Sequence, residues 1–169
     1  VNVNFSQLAS VDPGNISKIA STARMLPFLD SSLDRVIALE SAQHFKPIGD
    51  FFSESNRVLK DDGILALAIP TATDNSSLSN LGILKFTWSS EHYSEKHIIY
   101  ELHQNGFEIV QSNDIGKNVY SPLAEYYINN RDDLRKKILT RYSRYVEKII
   151  FESMKKMQSA SETGLIGYL

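Results

Sequence analysis

The apolar residues of this chain fall into two alternating kinds of run. "RVIALE" (Arg35 to Glu40) and "ILALAIP" (Ile64 to Pro70) are short and nearly all apolar, the pattern of strands buried on both faces of a parallel sheet. Between them, Ile48, Phe51, Phe52, Ser55, Val58 and Leu59 recur at three- and four-residue spacing, which predicts a helix over about 47–60 that packs on the sheet through this face. Asp61-Asp62-Gly63 is expected to end that helix, with the glycine in a left-handed backbone. Upstream, "VNVN" reads as a strand end and "KIAST" (Lys18 to Thr22) as a short strand. "MLPFLDSSLD" reads as a loop, because Pro27 blocks helix and Asp30-Ser31-Ser32 supply turn chemistry. Downstream, a helix is predicted from Ser94, as N-cap, to Asn105, with Gly106 as its stop. "FEIVQSNDI" reads as a strand, and residues 121–159 read as helical, with Tyr126, Tyr127, Leu134, Ile138, Tyr142, Tyr145, Ile149 and Phe151 among the apolar positions. "GLIGYL" reads as a last strand. Strands alternating with helices predict an α/β fold, an open and mostly parallel sheet flanked by helices.

Composition narrows the class rather than naming it. A chain of 169 residues is one domain by length and can bury about 70% of its unfolded surface. No repeats or linkers divide residues 1–169. A net charge of −2 gives no electrostatic reason to expect a nucleic-acid or anionic-membrane partner. No apolar run approaches the roughly 18 residues that a membrane span needs. Without cysteine there is no disulfide and no thiolate chemistry, which fits a cytoplasmic protein. The chain opens on Val1 and closes on apolar residues, so it is expected to be a fragment.

One stretch departs from the core pattern. "DRVIALESAQHF" runs an apolar strand directly into Glu40, Ser41, Gln43 and His44. These groups either cap the following loop and helix or face a ligand. His44 has an equally plain reading as a packed or solvent-facing residue beside Phe45.

"STARMLPFLDSSLDRVIALESAQHF", the helix ending "RVLKDDGILALAIP" and the helix ending "NGF" together resemble class I S-adenosylmethionine-dependent methyltransferases, in the branch that acts on small molecules. The resemblance covers most of the chain. It implies a Rossmann-like fold of methyltransferase type, truncated at the N-terminus, because the family's glycine-rich turn would lie before Val1. It also implies S-adenosylmethionine as cofactor. Asn2 falls where the family carries an acid for the ribose hydroxyls, and Ser21, Thr22 and Ala23 fall where a Gly-Asp-Ala segment meets the adenine. In such sheets ligands sit beyond the carboxyl ends of the strands. Glu40 would then neighbour the sulfonium, Gln43 would orient the acceptor and His44 would be the base that takes the acceptor's proton. Trp88, His92 and Tyr120 would line the acceptor pocket.

The resemblance implies methyl transfer to a small, partly apolar acceptor at a hydroxyl oxygen. The alternative is a binding or scaffold protein that kept the fold and lost the cofactor. Residues 121–159 would form a helical lid before the last strand, or else a solvated amphipathic helix pair; five Lys or Arg fall between Arg131 and Arg141. Ser21 and Thr22 also read as ordinary strand-end residues. His97 and His103 share no helical face with an acid at ligand spacing, so no metal site is expected. No G-x-G-x-x-G occurs, which argues against a nicotinamide enzyme.

Overall fold

A computed structural model of the chain describes residues 17–73, 79–87 and 91–169. Asn2, Trp88 and the "VNVN" strand end lie outside the described residues.

Strand β1 (Leu33–Leu39) pairs in parallel with β2 (Leu59–Ala68), and helix α1 (Ile48–Val58) makes the crossover between them. The spacing noted above sets the buried face of α1: Ile48, Phe51, Phe52, Ser55 and Val58 are buried. Asp50 in its first turn and Arg57 in its last complement the helix dipole. Ala38, Ala42, Ile48, Phe51, Phe52, Ile69 and Ile98 form one core cluster, with Val36, Leu65 and Leu67 of the strands packed on it.

Three expectations fail here. Helix α1 does not end on a left-handed Gly63; the chain turns extended at Leu59, whose N–H bonds Ser55 O, and Gly63 lies inside β2. The register explains this, since Leu33 faces Leu59 while Arg35 already faces Ile64, so Lys60 to Gly63 bulge out of the ladder. β1 is not buried on both faces. Val36 and Ala38 point inward, whereas Ile37 is 63% and Leu39 64% exposed, and among the described residues β1 pairs with β2 alone. "KIAST" is no strand: residues 17–21 have no regular structure, and Thr22 makes an isolated bridge to Met25. Its polar side chains bond locally instead, Ser21 Oγ donating to Met25 O and Thr22 Oγ1 accepting the Arg24 N–H at 3.2 Å, the competition that draws Ser and Thr into turns.

The loop before β1 is held from α1. Arg57 donates to Leu26 O (3.1 Å), Phe28 O (3.0 Å), the Asp30 carboxylate and both oxygens of Glu54, while Glu54 Oε1 accepts the Leu26 N–H at 2.6 Å. The Arg57 hydrogen bond holds the Glu54 carboxyl below its ordinary value of 4.5. A depressed carboxyl stabilises the fold above its unfolded-state pKa, and that contribution is lost as pH falls through the folded-state value. Arg57→Ala should therefore lower stability near neutrality and flatten its fall below about pH 4.5. Urea midpoints compared at neutral and acid pH check this, and parallel acid limbs in the two proteins would refute it.

After β2 the chain continues as β3 (Pro70–Ala72), helix α2 (Leu84–Thr87) and helix α3 (Glu95–Gln104). Ser94 caps α3 as expected, its side chain accepting the His97 N–H, and Gly106 at φ 81° stops the chain after it. Residues 107–115, expected as a strand, are not one. No described strand pairs with them, Val110 is 98% exposed, and a cavity of about 620 Å³ separates this segment from β2. An alternating run becomes a strand only with a partner to complete its ladder.

The helical stretch begins earlier than its apolar pattern suggests and divides into three: α4 (Gly116–Asn129), α5 (Arg131–Leu139) and α6 (Arg144–Glu162). Strand β4 (Ile166–Tyr168) follows and pairs antiparallel with β3. Leu81, Leu84, Tyr120, Ala160, Ile166 and Tyr168 make a second core cluster. Helix α5 buries no residue of its own. It is tied to α6 through Glu147, 2% exposed, whose carboxylate meets Arg131 at 3.0 Å and Arg135 at 3.9 Å, with Arg131 also stacked 3.4 Å over the Phe151 ring.

Candidate active site

The polar tail of β1 is held rigidly. Glu40 sits at φ 50°, a left-handed backbone that a non-glycine residue adopts only under constraint, and its N–H bonds Ala68 O at 3.0 Å. Its carboxylate does not cap a helix. Oε1 accepts the Tyr168 hydroxyl from β4, and Oε2 accepts Gln43 Nε2 at 3.4 Å. Ser41 precedes the short 3-10 turn Ala42–His44 and makes no side-chain cap either.

Gln43 is 5% exposed, and its side-chain Oε1 has no hydrogen-bond partner. His44, one residue on, is exposed. The segment 91–93 is stitched to the same turn: the Glu91 N–H bonds Gln43 O at 3.1 Å, and the Tyr93 hydroxyl donates to Phe45 O at 2.7 Å. His92, half-buried at φ 55°, lies between these two anchors. The Tyr93 phenol is raised, first by burial and then by the charge of Glu91.

Tyr120 reaches the cluster from α4. It is buried, donates to Gly167 O at 3.3 Å and meets the Tyr168 ring edge-on at 6.0 Å between centroids. Burial, and then the Glu40 carboxylate, push its phenol far above the ordinary range. The Tyr168 phenol is also pushed up, by burial first and then by its hydrogen bond to Glu40. Asp114 Oδ1 accepts backbone N–H groups from Gly116 (2.8 Å) and Tyr168 (2.9 Å), joining the start of α4 to β4.

Of the residues singled out from sequence, Glu40, Gln43 and Tyr120 thus belong to one linked group, with His44 and His92 on its border. Ala23 packs against the core cluster that contains Ala38 and Ala42, so the turn at Ser21 and Thr22 lies beside α1, with Thr22 exposed. Tyr168 and Asp114 escaped the sequence reading: Tyr168 looked like one more apolar position of the closing strand. Among the described residues, no three His, Asp or Glu side chains gather as metal ligands, and no helix is long and apolar enough to cross a membrane.

Known proteins share this architecture. Residues 2–67 match the methyltransferase domain family. The chain is 30% identical over 164 residues to the erythromycin 3''-O-methyltransferase of Saccharopolyspora erythraea, a match that covers 88% of this chain and 50% of that protein. It therefore spans about half the length of the curated relative it matches. A putative sarcosine dimethylglycine methyltransferase from Galdieria sulphuraria superposes with a TM-score of 0.74 at 17% identity, over 97% of this chain and 60% of that one. The phosphoethanolamine N-methyltransferase 2 of Haemonchus contortus, solved with phosphomonomethylethanolamine and S-adenosylhomocysteine, gives 0.69 at 16% identity, over 88% and 35%. The fold is that of Rossmann-like methyltransferases. By fold, domain match and relative together, the chain is similar to class I S-adenosylmethionine-dependent methyltransferases.

Proposed function

We propose that the protein transfers a methyl group from S-adenosylmethionine to a hydroxyl oxygen of a small, partly apolar acceptor in the cytoplasm. The observation that carries this reading is the convergence of Glu40, Gln43 and Tyr120 at the carboxyl end of a parallel strand, with His44 open beside them. The name of the erythromycin 3''-O-methyltransferase supports oxygen as the atom methylated. The S-adenosylhomocysteine bound to the Haemonchus contortus enzyme supports the cofactor.

The residues suit that cofactor. Glu40 offers a carboxylate to a sulfonium, and the turn Ser21-Thr22-Ala23 offers hydroxyls to an adenine amino group; Asn2 would meet the ribose. When bound, the cofactor supplies an electrophilic methyl carbon, so the protein's share is placement and electrostatics. Gln43 would hold the acceptor hydroxyl and His44 would take its proton. Trp88, His92 and Tyr120 would border the acceptor. Helices α4 to α6 would act as the lid, since Tyr120 of α4 already reaches the cluster.

One observation favours a second reading, a scaffold without cofactor: Ser21 and Thr22 spend hydroxyl bonds on their own turn. Calorimetric titration of the intact protein with S-adenosylhomocysteine separates the two. Saturable one-to-one binding is expected, and no heat at millimolar ligand would favour the scaffold.

A further inference from the structure

Tyr168 has no part in the mechanism above, yet its hydroxyl is spent on Glu40, 128 residues earlier in the chain. β4 presents that hydroxyl from a fixed frame. The Tyr168 N–H bonds Asp114 at 2.9 Å, Tyr168 O accepts the Ile115 N–H at 2.8 Å, and Leu169 and Ile69 exchange two backbone bonds. A Cβ on neighbouring Gly167 would come within 2.8 Å of Thr71 Oγ1, so the strand has no room to shift toward β3. The Tyr168 ring is buried and braced edge-on by Tyr120.

Glu40, by contrast, is exposed. Its two side-chain donors, Tyr168 and Gln43, are both neutral, and among the described residues no Lys, Arg or His forms an ion pair with it. The carboxylate is thus oriented by hydrogen bonds while its negative charge stays uncancelled, on a left-handed backbone that a non-glycine residue holds only under constraint. A sulfonium is the cation for which such orientation matters most. An ammonium or guanidinium carries N–H donors that draw a carboxylate into line. A sulfonium has none, so its attraction is Coulombic and weakens with distance. The protein must set that distance.

We propose that Tyr168 is a positioning residue for the cofactor: its hydroxyl holds the Glu40 carboxylate where it meets the sulfonium, so that the site prefers charged S-adenosylmethionine to neutral S-adenosylhomocysteine. This deepens the methyltransferase reading and rests on it for the identity of the site. Methyl transfer removes the sulfonium charge, so the contact that gathers the cofactor releases its product.

Calorimetric affinities of the intact protein for three ligands test this: S-adenosylmethionine, S-adenosylhomocysteine and sinefungin, an analogue with a C–NH₃⁺ group in place of the sulfonium. Tyr168→Phe keeps the ring in the core, so affinity for S-adenosylhomocysteine should stay near that of the parent. The preference for S-adenosylmethionine over S-adenosylhomocysteine should fall about threefold in Tyr168→Phe and about fivefold in Glu40→Gln, the scale of an exposed charge pair. Sinefungin, whose ammonium aligns the carboxylate through its own N–H groups, should lose its preference in Glu40→Gln and keep it in Tyr168→Phe. In the unaltered protein, the ring-carbon NMR signals of Tyr168 should move more with S-adenosylmethionine than with S-adenosylhomocysteine. An unchanged or raised preference in Tyr168→Phe, a uniform loss for all three ligands there, or equal Tyr168 shifts with the two ligands would overturn the proposal and leave the methyltransferase reading standing. A parent that binds none of the three would instead sink that reading, and this proposal with it.

Discussion

Phe52→Ala should cost the fold about 3–5 kcal/mol, the range for emptying a buried phenylalanine site. Phe52 is 0% exposed and lies on the buried face of α1, with its ring 5.7 Å from that of Phe51, which in turn lies 4.9 Å from Phe45. The loss combines the transfer energy of the removed ring with a cavity that the two-layer contact cannot close. The backbone on one side is a hydrogen-bonded parallel pair, which resists collapse. Alanine favours helix, so α1 itself is not weakened, and the whole effect comes from packing. For a chain of this size, each kcal/mol lowers the melting temperature by about 2–4 °C, so thermal and urea unfolding both read the change. A loss below about 1 kcal/mol would mean that the cluster is not the core described.

The largest effect on activity is expected from His44→Ala. A general base contributes about 10²–10⁴-fold, so kcat should fall at least about a hundredfold while affinity for S-adenosylhomocysteine stays near that of the parent. Stability should change by less than about 0.5 kcal/mol, because the side chain is exposed and lies outside both core clusters. That combination separates a base from a packing residue, whose removal would lower stability and affinity together. Identical pH–rate profiles for parent and variant would remove His44 from the mechanism.

The sequence made legible what depends on neighbours a few residues apart. The three- and four-residue spacing found α1 and its buried face down to Ser55, and local chemistry found the Ser94 cap and the stop at Gly106. It misjudged what depends on distant partners. "FEIVQSNDI" alternates like a strand, but no described strand pairs with it. "RVIALE" is apolar from Val36 to Leu39, yet one side of β1 faces outward at Ile37 and Leu39. Gly63 looked like a helix stop because the bulge opposite Arg35 is set by the strand across from it. The site divides in the same way. The polar tail after β1 was visible as an anomaly in an apolar run, whereas the Tyr168–Glu40 bond spans 128 positions and leaves no local trace.

The attachment of α5 has a consequence for how the helical arm behaves. Helices usually cling to a protein through oily contacts that tolerate sliding. Of its apolar residues this one half-buries only Leu134 and Ile138, and its polar tie is one sequestered carboxylate that accepts a hydrogen bond from Arg131, itself lying over Phe151, with Arg135 as a longer ion pair. Such a clasp is strongly directional: it is either engaged or lost, because a half-released acid would be stranded away from water. The arm should thus move in discrete jumps rather than by gradual drift, leaving the sheet and both apolar clusters undisturbed.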